Sequence, residues 1–497
     1  MNGQRWRYLY WALPPLLALV QLAFSRHATP ELRYEELAES VRNVYWLEHR
    51  TVYDGVSSNV GWYGLLLLCY RLFGFHLYAA QSIRVALSLV SLLALAATLR
   101  RYLRAEHAWL PLILFGLSPT LLFFNTLQTS YGTDLQYAPI ALFLVLGVRF
   151  SSRPGGPEGL RSAAWFDAAG HALLGLVAIV ASASYPTFLF YLPVLGAIYY
   201  DRMRAEEIAG PRVIRPVLAL AGGFFLPLAG VVVAMKDPRL LLFDPRVHAG
   251  LFRGSGYLSP RPRNAAKNLI GSAADLFGRA HSYYYEVART EFSDWLPLVA
   301  LVAIALVSIR LARASEHDRR PFGLALALIV ITLAATVMAV DPSGQPGMRR
   351  VTPLLAAVYA CCAIAWQRVN GATTAPRAQR LTVAVGLLVL LLHHVLVLPL
   401  NYRRLPAPSV ERYALFFDSA GTPAQSLAQF LKAAVDHDLQ LRCPDPEDCR
   451  YAEIYAAVAG SCLWNRLPCH QLSAFDDATH RFIPLSPSLW ETYYWNH

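Results

Sequence analysis

Charged side chains are scarce in this chain of 497 residues: they make up 15% of the sequence, whereas hydrophobic residues make up 55%. Soluble globular proteins carry about 25% charged residues, so this composition excludes an ordinary soluble protein. Acidic residues are the scarcer sign, 33 against 44 lysines and arginines, which gives a net charge of +11. No basic helix or stripe accompanies that charge, so the sequence predicts no nucleic-acid partner.

The chain also lacks the short signatures of several enzyme classes. It contains no Walker phosphate loop, no GxGxxG turn, no GxSxG elbow and no H-E-x-x-H zinc motif. Internal repeats and long low-complexity stretches are missing as well. Any catalytic site must therefore be assembled from residues outside these motifs.

Long apolar runs are abundant instead, and a run of about 20 such residues can cross the hydrocarbon core of a bilayer. We predict a mainly α protein, a polytopic transmembrane helical bundle of about 11 spans within a domain over 1–400. A further run, Val60–Phe75, is interpreted as interfacial or re-entrant, because the charge bias requires an odd number of crossings between the acidic loop after the first span and Arg100. The predicted spans are 8–24, 77–99, 107–124, 133–149, 167–183, 185–200, 214–234, 295–311, 322–340, 351–367 and 381–400.

Arginines gather in alternate loops between these runs, as the positive-inside rule requires for cytoplasmic loops. The bias predicts a multi-pass protein of the cell inner membrane, with a cytoplasmic N-terminus and a periplasmic C-terminus. A cleaved signal peptide is the alternative for the first run, but no clear A-x-A site follows it. The basic segments are the N-terminus (Arg5, Arg7) and the loops around Arg100/Arg101/Arg104, Arg149/Arg153/Arg161, Arg202/Arg204/Arg212/Arg215, Arg310/Arg313/Arg319/Arg320 and Arg368/Arg377/Arg380.

The segment 401–497 is polar, and we predict that it forms a small periplasmic C-terminal domain, either α/β or mainly helical. It contains Cys443, Cys449, Cys462 and Cys469. Four cysteines in a polar extracytoplasmic region favour two disulfides. A tetrathiolate zinc site is the alternative, but the C-x5-C-x12-C-x6-C spacing lacks the C-x2-C pairs that zinc ribbons favour.

The loop after the first span is acidic and begins with Pro30-Glu31-Leu32-Arg33-Tyr34-Glu35-Glu36-Leu37-Ala38. This segment resembles the first periplasmic loop of GT-C glycosyltransferases, notably protein O-mannosyltransferases and lipid A aminoarabinose transferases, where the pattern is Asp-Glu-x-x-Tyr-x-x-x-Ala. Glu31, Tyr34 and Ala38 stand at the matching positions. Pro30 replaces the usual Asp of the family, a departure that keeps open a GT-C-like protein without catalysis.

The resemblance continues in two places and covers roughly residues 1–400. Leu72-Phe73-Gly74, followed by Arg84 as the next span begins, is similar to the LFG…R that follows this loop in the family. Gly347-Met348-Arg349-Arg350-Val351-Thr352-Pro353 is similar to the Arg-Tyr-x-x-Pro start of a late span. Each motif is short and degenerate, so the resemblance is informative about the superfamily and uninformative about the substrate.

The resemblance implies an enzyme that moves a sugar from a polyprenyl-phosphate donor to a lipid, glycan or protein acceptor at the periplasmic face, among membrane lipids. Such a reaction needs a general base for the acceptor hydroxyl and cations for the departing phosphate. Carboxylates also suit a divalent metal, Mg or Mn, as a candidate cofactor. The candidate catalytic residues are Glu31, Glu35, Glu36 and Asp54; the candidate substrate-binding residues are Tyr34, Asp134, Arg349 and Arg350; the candidate metal ligands are Asp54 and Asp134.

Each candidate also has a purely structural interpretation. Glu35 and Glu36 are compatible with the solvated face of an amphipathic helix, and Asp54 is compatible with a turn. Asp134 is compatible with a helix N-cap, and Arg349 and Arg350 with interfacial anchors. At the level of function, the alternative is a transporter or flippase for a lipid-linked glycan. Transporters carry polar residues deep in several spans and interrupted helices at the midplane, whereas the charges here concentrate in loops.

Overall fold

The fold is that of a computed structural model of the whole chain. The structure describes residues 3–28, 40, 43–44, 47, 59–74, 79–126, 132–150, 159–206, 213–235, 296–313, 354–371 and 376–404, and the strand residues 416–417, 440–441, 473–476 and 481–484. These ranges include most of the long apolar runs together with short pieces of the C-terminal segment.

The described part of the chain is almost entirely helical, as predicted. The helices agree with the predicted apolar runs; for example, the run at 214–234 corresponds to a helix over Ile214–Met235. A 3-10 helix over Pro186–Tyr191 joins the helices over Gly159–Ser184 and Leu192–Ala205. The α-helices are α1 Gly3–Ala28, α2 Val60–Phe73, α3 Ala79–Tyr102, α4 Ala105–Gly116, α5 Pro119–Phe124, α6 Asp134–Gly147, α7 Gly159–Ser184, α8 Leu192–Ala205, α9 Ile214–Met235, α10 Leu296–Arg313, α11 Leu354–Gly371 and α12 Arg377–Arg404.

Within these ranges, five helices are long and apolar enough to cross a bilayer: α1, α3, α7, α9 and α12. Several of them present large apolar side chains outward, and Leu226 of α9 is 73% exposed. In water such exposure would be costly, but a lipid environment removes that cost. The chain is therefore a membrane protein with several spanning helices.

Helix α1 runs antiparallel to α3 and α6, which are parallel to each other, as side-chain contacts near their ends show. The Tyr10 hydroxyl of α1 donates a hydrogen bond to the Ala96 carbonyl of α3 over 2.8 Å. The guanidinium of Arg101, near the end of α3, donates to the carbonyl of Leu146 near the end of α6. The beginning of α1 therefore lies beside the ends of α3 and α6.

The same end of the bundle gathers further arginines. The Arg104 backbone amide donates to Gln367 Oε1 in the last turns of α11 over 2.7 Å. In α8, Arg202 donates to the Val145 carbonyl of α6 over 3.4 Å and forms an ion pair with Glu206 at 3.1 Å. We call this end, defined by Arg101, Arg104 and Arg202, the basic end.

Helix α12 runs away from the basic end. Tyr359 in the first half of α11 and His394 in the second half of α12 share a hydrogen bond of 2.6 Å. Because α11 ends at the basic end and α12 starts six residues later, α12 finishes at the opposite end. The start of α1 and the finish of α12 are thus at opposite ends of the bundle.

Helices α7 and α9 approach each other so closely that only glycine fits at two positions. A Cβ atom added to Gly175 would lie 2.2 Å from the Leu220 carbonyl oxygen, and one added to Gly223 would lie 1.9 Å from the Ala172 carbonyl oxygen. Small residues at such crossings allow backbones to pack directly in membranes. This contact attaches α9 to the bundle.

The predicted span 107–124 is interrupted in the structure. Helix α4 ends at Gly116 and α5 begins at Pro119, with Ser118 between them. The Ser118 hydroxyl accepts a hydrogen bond from the Leu121 amide over 3.2 Å, which is N-cap geometry. Proline is favoured at the first helical position because its missing N–H would have no partner there. The apolar run is therefore two helices joined by a cap.

Four short strands lie in the C-terminal segment. They are β1 Phe416–Phe417, β2 Gln440–Leu441, β3 Ser473–Asp476 and β4 Arg481–Pro484, in the spatial order β1-β2-β3-β4. The pairs β1–β2 and β3–β4 are antiparallel, whereas β2–β3 is parallel. The described part of the tail therefore includes a small mixed sheet.

Candidate functional site

Polar side chains that are fully buried meet where α1, α3, α5 and α6 come together, away from the basic end. We call Gln21, Gln81, Ser88, Asn125 and Gln136 the amide cluster; none of them has exposed surface. Asn125 is central: its Nδ2 donates to Gln21 Oε1 over 3.0 Å and to Ser88 Oγ over 3.2 Å. Its Oδ1 accepts from Gln136 Nε2 over 2.6 Å. Asn125 thus links three helices through hydrogen bonds.

A backbone carbonyl fixes the orientation of these amides. Gln21 Nε2 donates to the Gly116 carbonyl oxygen at the end of α4 over 2.9 Å. Since a carbonyl only accepts, Gln21 must present Oε1 to Asn125, and Asn125 must in turn present Oδ1 to Gln136. The donors therefore run in one direction, from Gln136 to Asn125 to Gln21 to Gly116. We call this chain of hydrogen bonds the amide relay.

The orientation of the Gln81 amide is likewise fixed by a backbone carbonyl, that of Thr126, the residue after Asn125. Its Nε2 donates to the Thr126 carbonyl oxygen over 3.0 Å. The other side-chain atom, Oε1, is buried and has no hydrogen-bond partner within the described ranges. Gln81 Oε1 is thus a fixed acceptor inside the bundle.

Arg84 lies one turn after Gln81 on α3 and is completely buried. Its guanidinium carbon is 4.6 Å from the ring centre of Trp62 in α2, which is also completely buried. A cation over an aromatic face is stabilised by the ring quadrupole, more so when water is excluded. Gln136 Nε2 also lies 3.5 Å from the Arg84 carbonyl oxygen. The amide cluster therefore adjoins the backbone of the residue that carries this buried cation.

Asp134, a predicted substrate and metal ligand, is the first residue of α6 and is fully buried. The structural interpretation of this residue as an N-cap is wrong by one position, because the cap is Thr133. Asp134 Oδ1 accepts a hydrogen bond from the Leu135 amide over 3.1 Å. A carboxylate in the first turn is favoured by the helix dipole. Asp134 lies two residues before Gln136, in the first turn of the helix that carries this member of the amide cluster.

The other predicted site residues lie outside the described residues. Their assignments as catalytic, substrate-binding or disulfide residues stay predictions. They are Glu31, Tyr34, Glu35, Glu36, Asp54, Arg349, Arg350, Cys443, Cys449, Cys462 and Cys469. Among the cysteines that the structure does describe, Cys69, Cys361 and Cys362 are free thiols.

The described residues contain no group of three His, Cys, Asp or Glu side chains that could hold a metal ion. Of the two predicted ligands, the described residues include only Asp134, in the first turn of α6, whereas Asp54 lies outside the described ranges. One carboxylate does not form a divalent-metal site, since Mg²⁺ and Mn²⁺ need several oxygen ligands. The Mg or Mn prediction therefore stays a prediction.

The histidines of α12 form a second buried polar group. His394 Nε2 shares a hydrogen bond of 2.6 Å with the Tyr359 hydroxyl. The ring of His393 is 5.7 Å from that of His394, and in the part of the chain that the structure describes neither of its nitrogens has a partner. Adjacent residues on a helix point in different directions, so the pair does not converge on one ligand.

Sequence reasoning missed the amide cluster because its members are neutral residues inside apolar runs. One available signal was the occurrence of Gln21, Gln81 and Gln136 at membrane depth, where unpaired amides are costly. Another was Ser118-Pro119, since a cap residue followed by proline is a helix-start signal. Either signal would have directed attention to this part of the bundle.

Two comparisons with known proteins found no similar protein. No family model matches the chain, and no curated protein does. The likeness to GT-C enzymes therefore rests on the acidic loop after the first span and on the motifs around Leu72-Phe73-Gly74 and Arg349-Arg350.

Proposed function

We propose that this protein is an integral-membrane glycosyltransferase of GT-C type. It transfers a sugar from a polyprenyl-phosphate donor to a lipid, glycan or protein acceptor at the periplasmic face of the inner membrane. In this proposal about 11 spans place the basic end in the cytoplasm and the C-terminal domain, 401–497, in the periplasm.

The position of helix ends supports a single reacting face. Glu31 follows the end of α1 by three residues, Asp134 begins α6, and Arg350 precedes the start of α11 by four residues. All three helix ends are opposite the basic end, because α1 starts there while α6 and α11 finish there. The helix ends that precede or follow these residues along the chain thus lie at one end of the bundle.

Arg84 adds a cation at that end. A charge buried in a membrane helix is expensive, and such residues usually serve a substrate or ion path. In the proposed site Arg84 joins Arg349 or Arg350 in binding the phosphate, since guanidinium groups match phosphate oxygens with paired hydrogen bonds. The Trp62 ring keeps the Arg84 guanidinium in place before the donor arrives.

The proposed reaction is a displacement at the sugar carbon that carries the phosphate. Glu31, Glu35, Glu36 or Asp54 removes the proton from the acceptor hydroxyl, whose oxygen forms the new glycosidic bond. The bond from the sugar carbon to the phosphate oxygen breaks, and polyprenyl phosphate departs with the electron pair. The arginines stabilise the negative charge that develops on this leaving group.

A divalent metal bound by Asp54 and Asp134 would supply further positive charge at the phosphate. Because the described residues provide only Asp134 at this position, the proposed steps use the protein's own groups alone.

The test is transfer of labelled sugar from polyprenyl phosphate in membranes that contain equal amounts of each variant. Glu31→Gln keeps the side-chain shape and removes the base, so we expect turnover to fall by about 10²- to 10⁴-fold. Glu39→Gln in the same loop is the matched control and should retain turnover. Arg349→Ala or Arg350→Ala should weaken use of the lipid donor, whereas Arg377→Ala at the exposed start of α12 should not.

Wild-type turnover in Glu31→Gln would move the role of the base to Glu35, Glu36 or Asp54. Wild-type turnover in all four of these acidic variants would refute the carboxylate mechanism. It would favour the second candidate, a transporter or flippase for a lipid-linked glycan.

A specific feature favours that second candidate: the interruption between α4 and α5, beside buried amides. Interrupted helices and buried polar residues are typical of transporter binding sites. The Gly116 carbonyl at this break is, however, already bound by Gln21, and the cluster lies toward one end of the bundle. Movement of a fluorescent polyprenyl-phosphate sugar across vesicles that contain the purified protein, without sugar transfer, would establish transport.

A further inference from the structure

Two buried amide oxygens at the amide cluster are held in fixed positions without any hydrogen-bond donor among the described residues. They are Gln81 Oε1 and Gln136 Oε1, and both side chains are completely buried. A buried carbonyl oxygen without a donor costs about 1–3 kcal/mol. Buried polar groups in native proteins almost always have a partner, which here has to come from an ordered water or a bound molecule if no other part of the chain supplies it.

Neither oxygen can gain a donor by rotation of its amide. Gln136 is the first member of the amide relay, and reversing its amide would turn Oε1 toward Asn125 Oδ1, with which Nε2 now shares a bond of 2.6 Å. Reversing Gln81 would turn its Oε1 toward the Thr126 carbonyl oxygen, which Nε2 now contacts at 3.0 Å. Each reversal would place two acceptors together. The two amides therefore keep this orientation, with oxygens that accept no hydrogen bond from the described residues.

The two amides are also neighbours of Arg84, Gln81 along α3 and Gln136 through the Arg84 backbone carbonyl. Gln81 precedes Arg84 by three residues, so both occupy one face of α3. Gln136 Nε2 is 3.5 Å from the Arg84 carbonyl oxygen. Thr133, one turn before Gln136, adds a buried hydroxyl that has no partner within the described ranges. The neighbourhood thus offers a cation, two acceptors and a hydroxyl.

We infer that Gln81 Oε1 and Gln136 Oε1 accept hydrogen bonds from hydroxyl groups of the sugar that the polyprenyl phosphate carries. This inference rests on the proposed function, because it describes how the donor of that reaction is bound. In such a donor the phosphate is attached directly to the sugar ring, so ring hydroxyls lie close to the phosphate. A phosphate bound at Arg84 therefore brings hydroxyl donors to the two oxygens. Both oxygens are inaccessible to solvent in this structure, so binding of the sugar requires the surrounding side chains to move.

The experiment measures binding to the full-length protein in lipid nanodiscs. The probes are a short-chain polyprenyl phosphate carrying mannose, glucose or galactose, the same lipids with single hydroxyls replaced by hydrogen, and the polyprenyl phosphate without sugar. The variants are Gln136→Met and Gln81→Met. Gln379→Met is the matched control, because Gln379 Oε1 is likewise buried without a partner within the described residues but belongs to the start of α12, near the basic end.

For the sugar that binds best, each of the two variants should weaken binding about tenfold, the loss of one neutral hydrogen bond. The deoxy probe that lacks the partner hydroxyl should bind wild-type protein more weakly than the complete sugar lipid does. The variant should bind the deoxy probe and the complete sugar lipid equally well, because the hydrogen bond is already missing. Binding of the sugar-free lipid should stay within about twofold of wild type, which separates sugar recognition from a structural defect. Gln379→Met should bind every probe as wild type does.

Equal losses for every probe, including the sugar-free lipid, would assign the amides a structural role and overturn the inference. If the loss of affinity caused by the variant and the loss caused by the deoxy probe add when the two are combined, the inference is also overturned. An ordered water would then be the partner of these oxygens. Failure of wild-type protein to bind any of the three sugar lipids would overturn it as well. Coupled losses in a protein that binds but transfers nothing would support the subsite and refute the proposed transfer. If Gln136→Met fails to fold because the amide relay is broken, Gln81→Met, which lies outside the relay, decides the matter.

Discussion

Replacing Asn125 with leucine should destabilise the bundle more than removal of any ordinary buried hydroxyl. Leucine has nearly the shape of asparagine, but it cannot accept from Gln136 or donate to Gln21 and Ser88. Hydrogen bonds between membrane helices contribute on average about 0.6 kcal/mol each, so three bonds give about 2 kcal/mol. Two amide atoms left buried without partners cost about 1–3 kcal/mol each, or about 2–6 kcal/mol together.

The value from lost hydrogen bonds equals the lower limit of the range from unpaired atoms. We therefore expect the free energy of unfolding to fall by about 2–6 kcal/mol. The measurement is reversible unfolding in mixed micelles with increasing dodecyl sulfate, followed by tryptophan fluorescence. Thr98→Ala is the matched control, because the Thr98 hydroxyl bonds only to the Ala94 carbonyl of its own helix at 2.9 Å among the contacts described. Its effect should stay within about 0.5 kcal/mol. An Asn125→Leu protein as stable as Thr98→Ala would refute the relay as an interhelical link.

Two further predictions concern packing and compartment. Gly223→Ala should destabilise the protein by about 1–3 kcal/mol, since the new Cβ would lie 1.9 Å from the Ala172 carbonyl oxygen. Gly230→Ala on the same helix meets no described atom within 4 Å and should instead stabilise by up to about 1 kcal/mol through helix propensity; equal stability of the two would contradict the close contact. Cys443, Cys449, Cys462 and Cys469 should form two disulfides in protein purified without reductant, and four free thiols by mass spectrometry would contradict the periplasmic assignment of the tail.

Apolar periodicity and length were sufficient to place most described helices. The run at 77–99 corresponds to Ala79–Tyr102, because continuous apolar sequence leaves the backbone no partner in lipid except itself. Such a run does not reveal a local interruption. In 107–124, Ser118 and Pro119 lie within a hydrophobic stretch, and only the cap geometry divides it.

The candidate site was predictable only in part. Asp134 was singled out as a charged residue at a span boundary, and the structure shows it buried in the first turn of the helix that carries Gln136. Gln21 and Gln136 were not, because neutral amides do not stand out in a hydropathy pattern. Their partners are separated from them by 104 and 11 positions along the chain, a distance that no local pattern encodes. Arg84 entered only through its position after Leu72-Phe73-Gly74.

The amide relay also constrains how the protein can be made. Gln21 leaves the ribosome 104 residues before Asn125, which at common synthesis rates is on the order of 5–20 s. During this interval the Gln21 amide has neither Asn125 nor the Gly116 carbonyl to bind, and an unpaired amide is poorly tolerated in lipid. Gln21 therefore gains these two partners only after α4 and Asn125 have been synthesised. We expect the first helix to take up its final hydrogen-bonded position at that stage, and not when it first enters the membrane.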